Sequence, residues 1–169
     1  FRGFNDPRQL VLNEWCLMEF EYKINKIVEF SHTDMAGIMH FSNFFRFMEA
    51  VEHDFFRSFG RSIVGARAAD GSHLGWPRVS CKCDFTIPLR FEDDVELQLI
   101  IREIRSSSIK YEVIFRKELM SEKKEVARGS ITIVHVGVDP ESGEMKARHL
   151  PEWIKEAIVV APENYETKK

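Results

Sequence analysis

Polar and apolar residues alternate along "FEYKINKIVEF", placing Phe20, Tyr22, Ile24, Val28 and Phe30 on one face of a strand. After a short loop the period changes. Phe41, Phe44, Phe45, Met48, Val51, Phe55, Phe56 and Phe59 recur at spacings of three and four, which predicts an amphipathic helix of about five turns. Ser42 or Asn43 is placed to cap it and Gly60 to end it. Residues 61–77 read as a long loop ending in "GWPR". Strand periods then return with Val79, Cys81, Cys83, Phe85 and Ile87, with Val95, Leu97, Leu99 and Ile101, and with Ile109, Tyr111, Val113 and Phe115. "EVARGSITIVHVGV" reads as one long apolar strand. "FEDD", "RSSS", "MSEKKE" and "DPESGE" mark turns, and "LPEWIKEAI" a short helix with Pro151 at its first turn.

The order is strand, long aromatic helix, then four strands joined mostly by tight turns. Such a helix buries its stripe only by lying across the sheet, so the fold class is α+β with an antiparallel sheet wrapped around one helix. A free sheet face or edge then invites a second subunit, and a homodimer or homotetramer is expected. Residues 1–18 read as an N-terminal appendage, with Met18 as a natural start, residues 19–160 as a single domain, and 161–169 as a polar, frayed tail.

Composition narrows the function classes. A chain of 169 residues with 44% hydrophobic residues builds one domain with a real core. The net charge of −3 disfavours nucleic acid as a partner. No apolar run approaches the roughly 20 residues that span a membrane. Cys81 and Cys83 share a strand face with Cys16 far away in sequence, a spacing that suits reduced core thiols and matches no zinc pattern. A cytoplasmic location and no metal are expected.

The remaining question is the loop "SHTDMAGIMH", which holds the carboxylate Asp34 between strand and helix. Taken alone, Asp34 is a turn acid. Taken with "TDMAGIMHFSNFFRFMEAVEHDFFRSFG", the stretch resembles the hotdog-fold acyl-CoA thioesterases of the 4-hydroxybenzoyl-CoA thioesterase type. The resemblance rests on Asp34, Gly37, the pair Ile38 and Met39, His40, Phe41, Phe44, Glu49, Asp54 and Arg57, and extends over about residues 19–138. One departure is Phe44, where the family often has tyrosine.

The resemblance implies hydrolysis of an acyl- or aroyl-CoA thioester without a cofactor, coenzyme A being part of the substrate. Asp34 would act as nucleophile or as general base on water, and both remain open. The helix N-terminus at His40 and Phe41 would stabilise the oxyanion. Gly37 would let backbone approach the ligand. His40 either touches the thioester or packs at the helix start, and His32 is read as structural. Phe55, Phe56 and Phe59 are read as core, and Phe41, Phe44 and Phe45 as lining an acyl tunnel at a subunit boundary. Glu49 either supports the loop or pairs with Arg46 or His53.

Coenzyme A phosphates need cations. The turn "REIRSSSIK" offers Arg105 and Lys110 first, with Ser107 and Ser108, while Arg102, Arg116 and Arg128 lie on neighbouring strands. Two other readings compete: a hotdog dehydratase or hydratase acting on acyl thioesters, and an acyl-CoA-binding module without turnover.

Overall fold

A computed structural model describes residues 19–64 and 67–165; the expected appendage at 1–18, with Cys16, and the last four residues lie outside them. Strand β1 (Glu21–Ile27) leads through a 3₁₀ turn at Phe30–His32 to helix α1 (Phe41–Ser58). Strands β2 (His73–Gly75), β3 (Arg78–Phe85), β4 (Asp94–Ile104), β5 (Ser108–Leu119), β6 (Glu122–Val134), β7 (Val136–Val138) and β8 (Met145–Ala147) follow, then helix α2 (Glu152–Ala157). A five-stranded sheet runs in the order β1-β4-β5-β6-β3, and β2-β7-β8 form a second, small sheet. All the pairings within both sheets are antiparallel.

The predicted architecture holds, with α1 laid across one sheet face. Phe44 packs on Phe85 and Phe115, Phe55 on Tyr22, and Phe56 on Trp76 and Trp153. Leu97, Leu99, Ile101, Tyr111, Val113 and Phe115 are fully buried in this core. Gly129 on β6 is what lets the helix come so close. A Cβ there would fall 2.6 Å from Met48 Cε and 2.9 Å from the Lys82 carbonyl.

Several expectations need correction. Phe20 faces the other side of the sheet, with Ile100, Ile114, Ala161 and Tyr165, and Phe30 is exposed. The segment 61–77 is not all loop, because β2 pairs with β7. "EVARGSITIVHVGV" is two strands, since the chain leaves the large sheet at His135. There the His135 N–H donates to the Ser107 carbonyl, and the Arg148 N–H donates to the His135 carbonyl. The small strand β8 was not expected at all. Tyr165, the last described residue, meets Phe20 edge-on and hydrogen-bonds Glu21, so the described part of the expected tail is anchored. β3 lies where expected, but its register breaks between Arg78 and Ser80 and it is an edge strand, so its burial does not alternate. Cys81 on it is exposed and Cys83 half-buried, so neither is a fully buried core thiol.

Candidate active site

The loop after the 3₁₀ turn is a small hairpin that hands the chain to α1. Thr33 and Met39 form a bridge, the Asp34 N–H donates to the Ile38 carbonyl at 3.0 Å, and the His40 N–H donates to the His32 carbonyl at 2.9 Å. Gly37 has φ +69°, a left-handed conformation that glycine adopts without strain. The hairpin is held from both sides. Asn43 Nδ2 donates to the His32 carbonyl at 2.8 Å, the Met39 N–H donates to the Leu89 carbonyl at 2.7 Å, and Arg90 Nη1 reaches the Gly37 carbonyl at 3.4 Å.

Asp34 itself is exposed. Its Oδ1 accepts the Ala36 N–H at 2.8 Å, the hydrogen bond of an Asx turn, while Oδ2 has no partner among the described residues. The turn-acid reading is therefore true of one oxygen and leaves the other free. His32 is structural as expected: its Nδ1 accepts the Glu29 N–H at 2.9 Å and its ring meets Phe47 edge-on.

His40, not Ser42 or Asn43, is the N-cap of α1. Its Nδ1 accepts the Ser42 N–H at 3.4 Å and lies 2.8 Å from Ser42 Oγ. Accepting at Nδ1 puts the proton of a neutral ring on Nε2, which is a donor with no partner among the described residues. The next N–H, that of Phe41, also finds no acceptor among them. Two donors thus stand open at the positive end of an 18-residue helix, on the hairpin that carries Asp34. Phe41 is 59% exposed with its ring against His40, whereas Phe44 is 4% exposed and belongs to the core beneath. Phe45 is half-buried against the same core. Exposed Phe30, Met35 and Phe91 add apolar surface in the same region, Phe30 and Phe91 meeting edge-on. Phe91 and Arg90 were not singled out from sequence, because contacts rather than spacing bring them to the loop, and Phe30 was read as a strand-face residue.

The other expected site residues lie elsewhere. Glu49 faces Arg78 Nη1 at 3.2 Å and His53 Nε2 at 3.9 Å, so it pairs with His53 as expected but not with Arg46. It lines a cavity of about 380 Å³ with His53, Trp76 and Arg78. Arg78 also pairs with Glu52, whose carboxylate burial pushes up to about 7 against the lowering pull of Arg78.

The turn Arg105–Ser108 joins β4 to β5 at the end of the sheet remote from Asp34. β4 starts at Asp94 opposite Ile27, beside the hairpin, and runs roughly 30 Å to that turn. One chain therefore does not bring Arg105, Ser107, Ser108 and Lys110 to Asp34. Arg102 and Arg128 are paired with Glu112, and Arg116 is buried on Gln98 and Glu96, so these three are structural cations of the outer face. Arg105 pairs with Glu103, and Lys110 is exposed with no ion pair among the described residues. Ser106 and Ser107 line a cavity of about 620 Å³ with His135, Arg148 and His149. Arg148 lies flat over Gly137, where a Cβ would fall 2.3 Å from Nε, and is held by Asp70. Hydrogen bonds from Ser72, then Arg148, hold the Asp70 carboxyl down at about 2. The sequence carried no periodic signal for this cavity.

No helix among the described residues is long and apolar enough to cross a membrane, and no three His, Cys, Asp or Glu side chains among them gather as a metal site.

Comparison with known proteins identifies the fold and the family. A 1,4-dihydroxy-2-naphthoyl-CoA hydrolase of Synechococcus sp. (strain WH7803) is 27% identical over 146 residues, covering 81% of this chain and 90% of that protein. The solved 4-hydroxybenzoyl-CoA thioesterase of Pseudomonas sp. strain CBS-3 superposes with a TM-score of 0.68 at 21% identity, covering 82% of this chain and 100% of that one. A gentisyl-coenzyme A thioesterase superposes at 0.65 with 25% identity, covering 79% and 99%. These neighbours share the antiparallel sheet wrapped around one long helix, which is the hotdog fold. The profile of the thioesterase-like superfamily matches residues 28–158, and the chain belongs to that family of thioester hydrolases.

Proposed function

We propose that this protein hydrolyses the thioester of an acyl- or aroyl-CoA at the hairpin of Asp34. The observation that carries the reading is the unshared Phe41 N–H at the start of α1, on the same hairpin as a carboxylate with one free oxygen. A thioester carbonyl set on that N–H places its developing oxyanion at the positive end of the helix. His40 Nε2–H is the second donor. Either Asp34 attacks the carbonyl carbon and expels the thiolate, leaving a mixed anhydride that water then cleaves to free acid, or it takes a proton from the attacking water and the thiolate leaves as the tetrahedral intermediate collapses. The apolar surface of Phe41, Phe30 and Phe91 suits an aromatic or aliphatic acyl group. The relatives act on aromatic acyl groups by name, which favours an aroyl substrate.

The working unit is a dimer joined through β3. This strand has one edge unpaired among the described residues and leaves Val79 62% and Phe85 48% exposed. Two copies paired antiparallel across a two-fold axis reverse β3. The Asp34 end of one copy then lies beside the Arg105–Ser108 end of the other. The cavity of Ser106, Ser107 and Arg148, with Lys110 nearby, becomes available to the phosphates of coenzyme A bound at the partner's helix N-terminus.

The test is thiol release from a panel of acyl- and aroyl-CoAs. Turnover of at least one member supports the reading. Binding that raises the melting temperature without any thiol release, across the panel, overturns it in favour of a binding module.

A further inference from the structure

The two arms of the Asp34 hairpin reach α1 differently. The arm 38–40 runs straight into the helix, whereas the arm 32–34, which carries the carboxylate, arrives from the 3₁₀ turn and meets the helix side-on. His32 makes that contact twice. Its ring lies edge-on to Phe47, with centroids 5.1 Å apart, and its carbonyl accepts from Asn43 Nδ2 at 2.8 Å. A carbonyl only accepts, so the nitrogen of the Asn43 amide is the atom that faces it. The same carbonyl accepts the His40 N–H at 2.9 Å, which uses both its lone pairs.

Asn43 is the third residue of α1 and is 6% exposed. The His40 N–H alone would satisfy the His32 carbonyl, so the buried amide is not needed for that. An apolar side chain at this place would cost less to desolvate. What the amide adds is a directional tie between a residue two before Asp34 and a residue two after Phe41. Arg90 and Leu89 hold the hairpin as well, but from the turn before β4 and at Gly37 and Met39, which leaves the arm of Asp34 to Asn43 and the Phe47 contact.

We propose that Asn43 is a positioning residue for the thioester hydrolysis. Its bond to the His32 carbonyl sets where the Asp34 carboxylate stands relative to the Phe41 N–H, and hence to a carbonyl seated on that N–H. This role rests on the reaction proposed above for Asp34. Misplacing a reacting group by about 1 Å costs on the order of 100-fold in rate.

The test compares wild type with Asn43→Leu, which keeps the branched shape and deletes the donor, and with Asn43→Ala. Steady-state kinetics on a cleaved CoA thioester, well below each melting transition, is paired with hydrogen exchange at the His40 N–H. In both variants kcat should fall roughly 10–100-fold while KM stays within about twofold. The melting temperature should drop by no more than about 4 °C, and the His40 N–H should exchange faster. A wild type that releases no thiol sinks the proposed reaction and this role with it. An active wild type beside variants with kcat within about twofold sinks this role alone. So does a fall in kcat with the His40 exchange rate unchanged, or loss of the fold in both variants, since a positioning bond does not carry the fold.

Discussion

Asp34 and Ile38 are joined backbone to backbone at 3.0 Å, which closes the hairpin and fixes the carboxylate relative to the first turn of α1. Asp34→Asn keeps the Oδ1 acceptor for the Ala36 N–H, so the hairpin should survive. What it removes is the ionised carboxylate. The expected loss in kcat is roughly 10²–10⁴-fold, with the melting temperature within about 1 °C of wild type because the residue is exposed. Steady-state kinetics paired with thermal melting reads both. A variant that keeps wild-type kcat would return Asp34 to the status of a turn residue.

His40 does two separable things. As N-cap it accepts the Ser42 N–H, and its Nε2–H faces outward. His40→Ala should lose the cap, at a cost of about 1 kcal/mol. His40→Asn restores a capping oxygen but not a ring donor. Stability should therefore recover in the Asn variant while kcat stays about tenfold or more below wild type. Full recovery of both in the Asn variant would confine His40 to capping.

Much of this was legible in the sequence where burial on one face sets a period. The alternations of β4 and β5 end in fully buried side chains, and the stripe of α1 is buried through Phe44, Met48, Val51, Phe55 and Phe56. β3 shows the limit of that inference: its register breaks between Arg78 and Ser80, and an edge strand leaves Val79 and Cys81 in the open. Strands β2 and β8 have three residues each, too few to show a period. The break at His135 depends on Ser107 and Arg148, both distant in sequence. Glu52, four residues from both Met48 and Phe56, falls on the apolar stripe of α1, and its partner Arg78 lies 26 residues on. The Asp34 hairpin was legible because its residues are contiguous; of the second cavity only the Ser107 turn was, because Arg148, His135 and His149 come from other parts of the chain.

If that cavity takes the phosphates of coenzyme A, Arg148→Ala should raise KM and leave kcat nearly unchanged. Loss of one charge-assisted bond to phosphate is worth about 1.5–3 kcal/mol, or roughly 10–100-fold in KM. The matching S-acyl pantetheine, which lacks the nucleotide, should show no such rise. Equal effects on both substrates would argue that Arg148 acts only through its pair with Asp70.

The β3 interface makes a separate prediction. Val79→Lys places a charge on the exposed side of the edge strand without touching the core, since Val79 is 62% exposed. If the proposed dimer forms through β3, sedimentation should find wild type dimeric and the variant monomeric. The monomer should retain its fold by circular dichroism and lose affinity for the full CoA thioester. A variant that remains dimeric would place the interface elsewhere.

The last prediction concerns pH. Glu52 is held at about 7 by burial, against an ordinary 4.5. Between those values the folded chain keeps a proton that the unfolded chain has released. The native state binds more protons there, so stability falls as pH rises through the window. The contribution is complete below the unfolded value and lost above the folded one, on the order of 3 kcal/mol at most. His53 pulls the opposite way, because burial lowers its folded value below the ordinary 6.5. Its stabilisation is present above 6.5 and lost as pH falls through the folded value. The groups facing His53 are Glu49, Arg78, Arg57 and Asp54 rather than Glu52, so a comparison with Glu52→Gln leaves the His53 contribution nearly constant. The stability of wild type minus that of Glu52→Gln, from urea unfolding, should therefore shrink steadily between about pH 5 and pH 8. A difference that stays flat from about pH 5 to pH 8 would mean that the Arg78 pairing outweighs burial and keeps Glu52 ionised throughout.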